Sequence, residues 1–373
     1  NCIIEQTGSS SDNAVIIDPH QYSDYPPIRN GSVLFDNPVC LINNTIRGGV
    51  FYQYNPFELY GVDIDPQFIL QENDIDVVFI NGSIAVRIDG NHLYSITASN
   101  SYDVSILNNQ IVNDPGNIRN GIDLWSLENE SLMNKIRIHN NSIIGFSDTG
   151  SPTGISGAGI VLAGGKDVSI DSNYIYANSK GIYVVEDCIN RNAQQCRGNI
   201  SDLTISKNDF ELGQTAIMLR KNVSNAEIVS NNLSNNGQGI WLREAFSNTI
   251  HKNRITDQYY GIRIDSNSSN NLIYNNYFKD NNVQALDQES DNQWNISLAT
   301  GENIVGGNHI GGNYWDTYDG IDTDGDYIGD TLVPFSDEDH IHNGGDYLPL
   351  LLFDDIPPMV TVLHPNGGEV FNT

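Results

Sequence analysis

The chain has 373 residues, 39% of them hydrophobic, with 47 acidic against 18 basic side chains and a net charge of −29. A surface this acidic excludes nucleic acid and anionic membranes as natural partners, because both need a basic patch to pair with phosphate, and it suits an extracellular surface that meets cations. No apolar run is long enough to span a bilayer as a helix.

Residues 1–60 carry no repeat and hold Asp18-Pro19, Tyr25-Pro26-Pro27 and the aromatic run Phe51-Tyr52-Gln53-Tyr54. A segment of this kind is expected to cap whatever follows. It opens on Asn1-Cys2 without an initiating Met, as expected of a chain whose signal peptide has been removed. Cys2 and Cys40 bracket it, and Cys188 and Cys196 bracket a short insertion further on. Two local disulfides are the simplest pairing in an oxidising compartment. A metal site is the alternative, though it lacks close Cys-x-x-Cys spacing.

Residues 61–310 are governed by one phrase, [Ile/Val]-x-x-Asn-x-[Ile/Leu/Phe], whose copies centre on Asn109, Asn141, Asn173, Asn208, Asn231, Asn253, Asn276 and Asn308. A second phrase follows most copies: Gly121-Ile-Asp-Leu124, Gly159-Ile-Val-Leu162, Gly181-Ile-Tyr-Val184, Ala216-Ile-Met-Leu219, Gly239-Ile-Trp-Leu242 and Gly261-Ile-Arg-Ile264. Apolar and polar residues alternate over three to five positions, which is strand periodicity, and turn formers separate the runs. A fixed period of about 22 residues built from very short strands predicts one coil of a parallel β-solenoid, all-β with about ten coils. The repeated Asn belongs at a corner, where it tolerates left-handed backbone and can pair with the next Asn in a ladder. Gly serves the same steric need at the other corner.

Ten Asn-x-Ser/Thr acceptors suit a secreted glycoprotein: Asn30, Asn43, Asn81, Asn129, Asn140, Asn199, Asn222, Asn232, Asn267 and Asn295. Asn199 and Asn222 each lie four residues before equivalent core positions, Leu203 and Ala226, and are expected on one edge of the solenoid.

Residues 311–352 are expected to form the C-terminal cap. Within it, Asp322-Thr-Asp324-Gly-Asp326-Tyr-Ile-Gly-Asp330, with Asp319 just before, places carboxylates at alternate positions around a Gly turn. Hard oxygen ligands in that spacing select calcium, with the Ile328 carbonyl as a further ligand and a structural role for the ion. The position of the usual bidentate Glu is Val333, so Asp319 or Asp337 would have to replace it. Asp337, Asp339, His340 and His342 are a weaker second metal set. Residues 353–373 hold Pro357-Pro358 and then Met359–Phe371, a strand, a turn and the start of another strand. That segment resembles the opening of an immunoglobulin-like repeat; its strand is expected either to pair with a second copy of the chain, end to end through residues 359–371, or to fold back on its own solenoid.

The Asn-x-Ile and Gly-Ile-x-Leu phrases resemble the right-handed parallel β-helix repeats of pectate-lyase-like, carbohydrate-binding and sugar-hydrolase β-helix proteins and of NosD-like proteins. Gly312-Asn-Tyr-Trp-Asp316, the Asp-rich loop and Asp346-Tyr-Leu-Pro-Leu350 are similar to the segment that closes many NosD-like β-helices of archaeal surface proteins. The resemblance implies the fold. It leaves the activity open, since such scaffolds host lyases, hydrolases and structural proteins alike. Copper delivery is not expected, because three Met and scattered His make no soft-ligand cluster.

Any chemistry is expected on the outward column of one sheet. Tyr183, Arg220, Trp241, Arg243 and Arg263 form the candidate carbohydrate-binding patch, aromatic faces against sugar rings and guanidiniums on carboxylates. Arg243 with Glu244 and Asp265 is the nearest approach to a lyase set, and Asp265 with Asp287 the nearest to a hydrolase pair. The leading expectation is a secreted, glycosylated structural or adhesive surface protein, with assembly into an extracellular filament as the further expectation. The alternatives are a polysaccharide lyase or hydrolase acting on acidic glycans, or a non-catalytic carbohydrate-binding module.

Overall fold

The computed structural model describes residues 14–17, 39–42, 45–53, 68–114, 120–126, 133–147, 157–185, 200–265, 267–289 and 291–352. Every regular element among them is a β-strand. The strands stack as a right-handed parallel β-helix with three faces, and almost all pairings join a strand to its equivalent one coil away. The first face is a ten-stranded sheet running from Val39–Ile42 to Leu272–Tyr274. The second is a column of three-residue strands such as Asp209–Glu211, Asn232–Ser234 and Arg254–Thr256. The third holds the Gly-Ile-x-Leu strands, among them Lys180–Val185, Thr215–Arg220, Gln238–Arg243 and Tyr260–Asp265.

Parallel pairing reaches back further than expected. Val39–Ile42 and Thr45–Gln53 join Phe68–Gln71 and Asp74–Asn81 in register, so part of the 1–60 segment is already solenoid. In the early coils, Asp74–Asn81 and His92–Ser99 run as single long strands across what later become two faces. Coils there are shorter, and this explains why the sequence period fades.

Inward side chains form one continuous core in which Ile106, Ile138, Ile170, Ile205, Ile228, Ile250 and Ile273 are equivalent and fully buried. Fully burying such a side chain contributes about 1.5–3 kcal/mol. The polar corners are as regular as the core. A ladder of ten amides runs through Asn73, Asn91, Asn109, Asn141, Asn173, Asn208, Asn231, Asn253, Asn276 and Asn313. At each step the backbone N–H and Nδ2 of one Asn both donate to Oδ1 of the next, as in Asn208 to Asn231 at 3.0 Å each and Asn253 to Asn276 at 3.0 Å each. Nδ2 also donates back to a core carbonyl, such as Ile228 for Asn253.

The ladder Asn is not itself left-handed. The residue before it is: Glu72, Asn108, Ser172, Lys207, Ser230, Lys252 and Asn275 all have φ between 53 and 59°. Left-handed backbone costs a residue with a Cβ about 1–2 kcal/mol, and the paired amide bonds that follow offset it. The eighth copy of the phrase, centred on Asn308, is expected as a coil but forms a hairpin. Asn308 is exposed beside Ala299–Thr300 and His309–Ile310, which pair antiparallel, and the ladder passes instead to Asn313.

Gly on the third face is required by close approach. A Cβ on Gly239 would stand 2.5 Å from the Gly261 carbonyl oxygen, and one on Gly181 equally close to that of Ala216.

Candidate functional site

The C-terminal end gathers three buried polar chains onto three carboxylates. Asn313 donates N–H and Nδ2 to Asp346 Oδ2 at 2.6 and 3.4 Å, and Trp315 Nε1 adds a third bond at 2.8 Å. Leu348 N–H donates to Oδ1 at 3.0 Å. A second ladder runs Asn248, Asn271, Asn292 and closes on Asp287, which also accepts from Trp294 Nε1 at 3.1 Å. A third passes from Asn236 through Gln258, Asn281 and Gln284 to Asp316. Aromatic stacking seals this end, with Trp315 lying on Phe278 at 4.3 Å and Tyr314 on Tyr277 at 4.6 Å. Gly312 has no room for a side chain, since a Cβ would overlap the Asp346 carboxylate. Burial outweighs the four donors on Asp346 and pushes it up to about 6. Burial likewise raises Asp287 and Asp337.

These contacts correct the hydrolase pair. Asp287 is in register with inward Ile264, not with Asp265, and is 1% exposed in the interior of the last coil. The second metal set is not assembled either. Asp337 turns inward to accept from Ala285 N–H at 3.0 Å, and residues 340–342 bond through their backbones to Asp287. Asp337, His340 and His342 close the last coil instead.

In the Asp-rich loop, ligand atoms of Asp322, Asp324 and Asp330 lie within 4.8 Å of one another. Asp326 turns instead to the N–H of Ile328, and Asp319 stands outside the group. Burial works against Asp322, but the N–H groups of Gly325, Tyr327 and Asp324 hold its carboxyl low. Asp324 is raised chiefly by repulsion from Asp326.

The outward column of the third face departs from expectation. Val161, Tyr183 and Met218 point away from the core, yet all three are buried in a separate apolar cluster that includes Ala158, Ala163 and Val185 and packs against Trp125 and Trp241. Tyr183 is 2% exposed and offers no open ring to a sugar. Trp241 carries the Arg263 guanidinium over its face at 4.8 Å. Arg263 is held by Asp265, Nη2 to Oδ2 at 2.8 Å. Arg220 and Arg243 are opposite one another on adjacent strands, and Arg243 is opposite Asp265 on the next. The Nε atoms of Arg220, Arg243 and Arg263, the Trp241 Nε1 and the Asp265 Oδ1 are buried without a hydrogen-bond partner.

Of the sequon asparagines, Asn81, Asn140, Asn222, Asn232 and Asn267 are exposed, whereas Asn295 is half-buried and accepts from Tyr347 N–H. Asn30, Asn43, Asn129 and Asn199 lie outside the described residues, as do Cys2, Cys188, Cys196 and residues 359–371. Cys40 sits partly buried on Val39–Ile42, and neither expected disulfide can be placed.

The profile of one protein family, described as periplasmic copper-binding protein (NosD), matches residues 107–320, more than half the chain. The chain belongs to the NosD family. No curated protein matches it. The description sets NosD proteins outside the cytoplasm, and it names copper. The described side chains do not fit copper, which favours thiolate, thioether and imidazole ligands. Among them the one group able to share an ion is the carboxylate set Asp322, Asp324 and Asp330. Met133 is fully buried with its sulfur accepting from Ser101 N–H, and Met218 is sealed in the apolar outer cluster.

Proposed function

We propose that this NosD-family β-helix is an extracytoplasmic, non-catalytic protein that serves as a rigid structural or adhesive component of a cell surface. The observation that supports this reading is the set of three amide ladders, which tie coil to coil and end on aspartates, two of them, Asp287 and Asp346, fully buried. Such a body resists local opening, because every rung broken would leave polar groups unpaired in the interior. The carboxylates closest to an acid–base role are committed elsewhere, Asp265 to Arg263 and Asp287 to Trp294 and Asn292. Calcium at Asp322, Asp324 and Asp330 would pin the cap by replacing their mutual repulsion with shared coordination. The exposed sequons are open to glycans, and assembly into a filament would run through residues 359–371.

Electron microscopy of native protein with calcium retained tests the reading. Ordered filaments with an axial repeat near the ~50 Å expected of about ten coils support it, and dispersed particles that release products from polyuronates overturn it in favour of a glycan-cleaving enzyme. Thermal unfolding with calcium and then with a chelator tests the cap. The expected result is a lower Tm in the chelator, absent in Asp324→Asn, and an unchanged Tm removes calcium from the proposal.

A further inference from the structure

We propose that the second face docks against the same face of a second copy, the two chains antiparallel about a twofold axis along the Asn232–Ser234 strand. Parallel register fixes what that face presents. One outward column reads Asp209, Asn232, Arg254 from coil to coil. The other holds Tyr176, Glu211 and, three coils on, Lys279. Neighbouring coils are roughly 4.8 Å apart. Counted from Asn232, both acids lie one coil toward the N-terminus, and the cations lie one and two coils toward the C-terminus. A twofold axis along that strand reverses the order of coils and keeps each column facing itself. It sets Asp209 of each copy against Arg254 of the other, and Tyr176 against Lys279. An isologous contact requires a surface that is complementary to itself in this way.

These groups are little used within one chain. Arg254 lies over the Tyr277 ring at 4.1 Å and makes no ion pair among the described residues. Asp209 accepts from the Asn232 amide at 2.7 Å and Glu211 from the Tyr174 hydroxyl at 3.5 Å, while Lys279 stands 3.8 Å from Asp280. Tyr174, stacked on Tyr176 at 5.9 Å, is 37% exposed, and aromatic surface of this kind favours protein contacts. Across the strands from Tyr174 to Lys279, Asp209 and Glu211 balance Arg254 and Lys279, so this stretch is neutral on a molecule of charge −29. Copies meet there with the least repulsion. A partner of one charge sign would suit only half of the stretch, whereas a second copy suits all of it. The same register brings the corner lysines Lys207 and Lys252 opposite one another, which holds the pair to modest affinity. Asn232 stands on the axis and is also a sequon, so the pairing requires it to carry no glycan.

The inference stands apart from the scaffold reading, because side-by-side pairing leaves both ends of the solenoid free, and filaments or their absence do not decide it. The test is sedimentation velocity of the full chain over a concentration series. A reversible monomer–dimer equilibrium is expected. Asp209→Arg and Arg254→Asp, each checked for unchanged Tm, should weaken dimerisation at least tenfold. The double variant Asp209→Arg with Arg254→Asp should restore it, since each reversed charge then meets its opposite across the axis. A pairing with the coils in parallel order would set Asp209 against Glu211 and would not be restored. Arg137→Gln, on the exposed side of the first face, should leave the equilibrium unchanged. A monomer at every concentration overturns the proposal, as does association that ignores the single reversals or a double variant that stays weak. A glycan found on Asn232 of the native protein by peptide mass spectrometry overturns it too.

Discussion

Asn313 passes the last rung of the longest ladder to Asp346, with its backbone N–H and its side-chain amide converging on the same carboxylate oxygen. Everything upstream is amide to amide, so this is where the chain of donors meets its terminal acceptor. Asp346→Ala would leave four donors, from Asn313, Trp315 and Leu348, facing a void. The expected loss is about 3 kcal/mol or more in denaturant unfolding. Trp315→Phe keeps the stack on Phe278 but removes one donor to a charged group, for an expected loss of about 1.5–3 kcal/mol.

Stability should also depend on pH through Asp346. Its folded pKa, about 6, stands above the ordinary 3.8. Between those values the native state holds a proton that the unfolded chain has released. This contribution is therefore complete below pH 3.8 and is lost as pH rises through about 6, a change of up to about 3 kcal/mol. Comparing urea midpoints of the parent and Asp346→Asn across that range isolates it. The gap between the two curves should shift in the alkaline direction against the parent, and a constant gap would refute the assignment.

Mid-ladder substitution should be costly and local geometry forgiving. Asn253→Ala removes the Nδ2 bonds to Asn276 and to the Ile228 carbonyl, and it strips both Asn231 donors of their acceptor. A loss of about 2–4 kcal/mol is expected. Lys252, at φ 55°, is the contrasting case. Lys252→Gly should be neutral or stabilising by up to about 1 kcal/mol, whereas Lys252→Val should destabilise by about 1–2 kcal/mol. Melting temperatures of the three variants order the effects.

Gly261→Ala tests the close approach on the third face. The added methyl would meet the Gln284 carbonyl and press on Phe278, with an expected loss of about 1–3 kcal/mol. The same change at Gly306, where a Cβ meets nothing within 4 Å, should cost less despite the left-handed backbone there.

The scaffold was legible because a solenoid repeats the same local problem: Asn109 through Asn276 announce their own ladder by spacing alone. Asn73 and Asn91 were overlooked because their coils advance only 18 residues per rung, and Asn308 satisfied the phrase without joining the stack. In the outer column, alternation predicted direction but not exposure. Tyr183 and Met218 do point away from the core, yet periodicity carries no information about a second apolar layer on that side. The roles of Asp287 and Asp346 were hidden for a different reason. Each is set by partners from other coils or from the cap, and a lone Asp looks the same whether it ends a ladder or meets solvent. The three clustered carboxylates of the Asp-rich loop were visible because their neighbours are adjacent in sequence.

In all three ladders each amide donates to one further along the chain and the last donor meets a carboxylate, the second ladder alone turning back for that final bond, from Asn292 to Asp287. A coil excised from the middle, or duplicated there, would leave every remaining rung with a partner of the correct kind. The length of the rod can therefore change in whole steps of one coil while both ends keep their chemistry. A coil added beyond Asp346 would find no amide to receive it, so the molecule carries its own full stop.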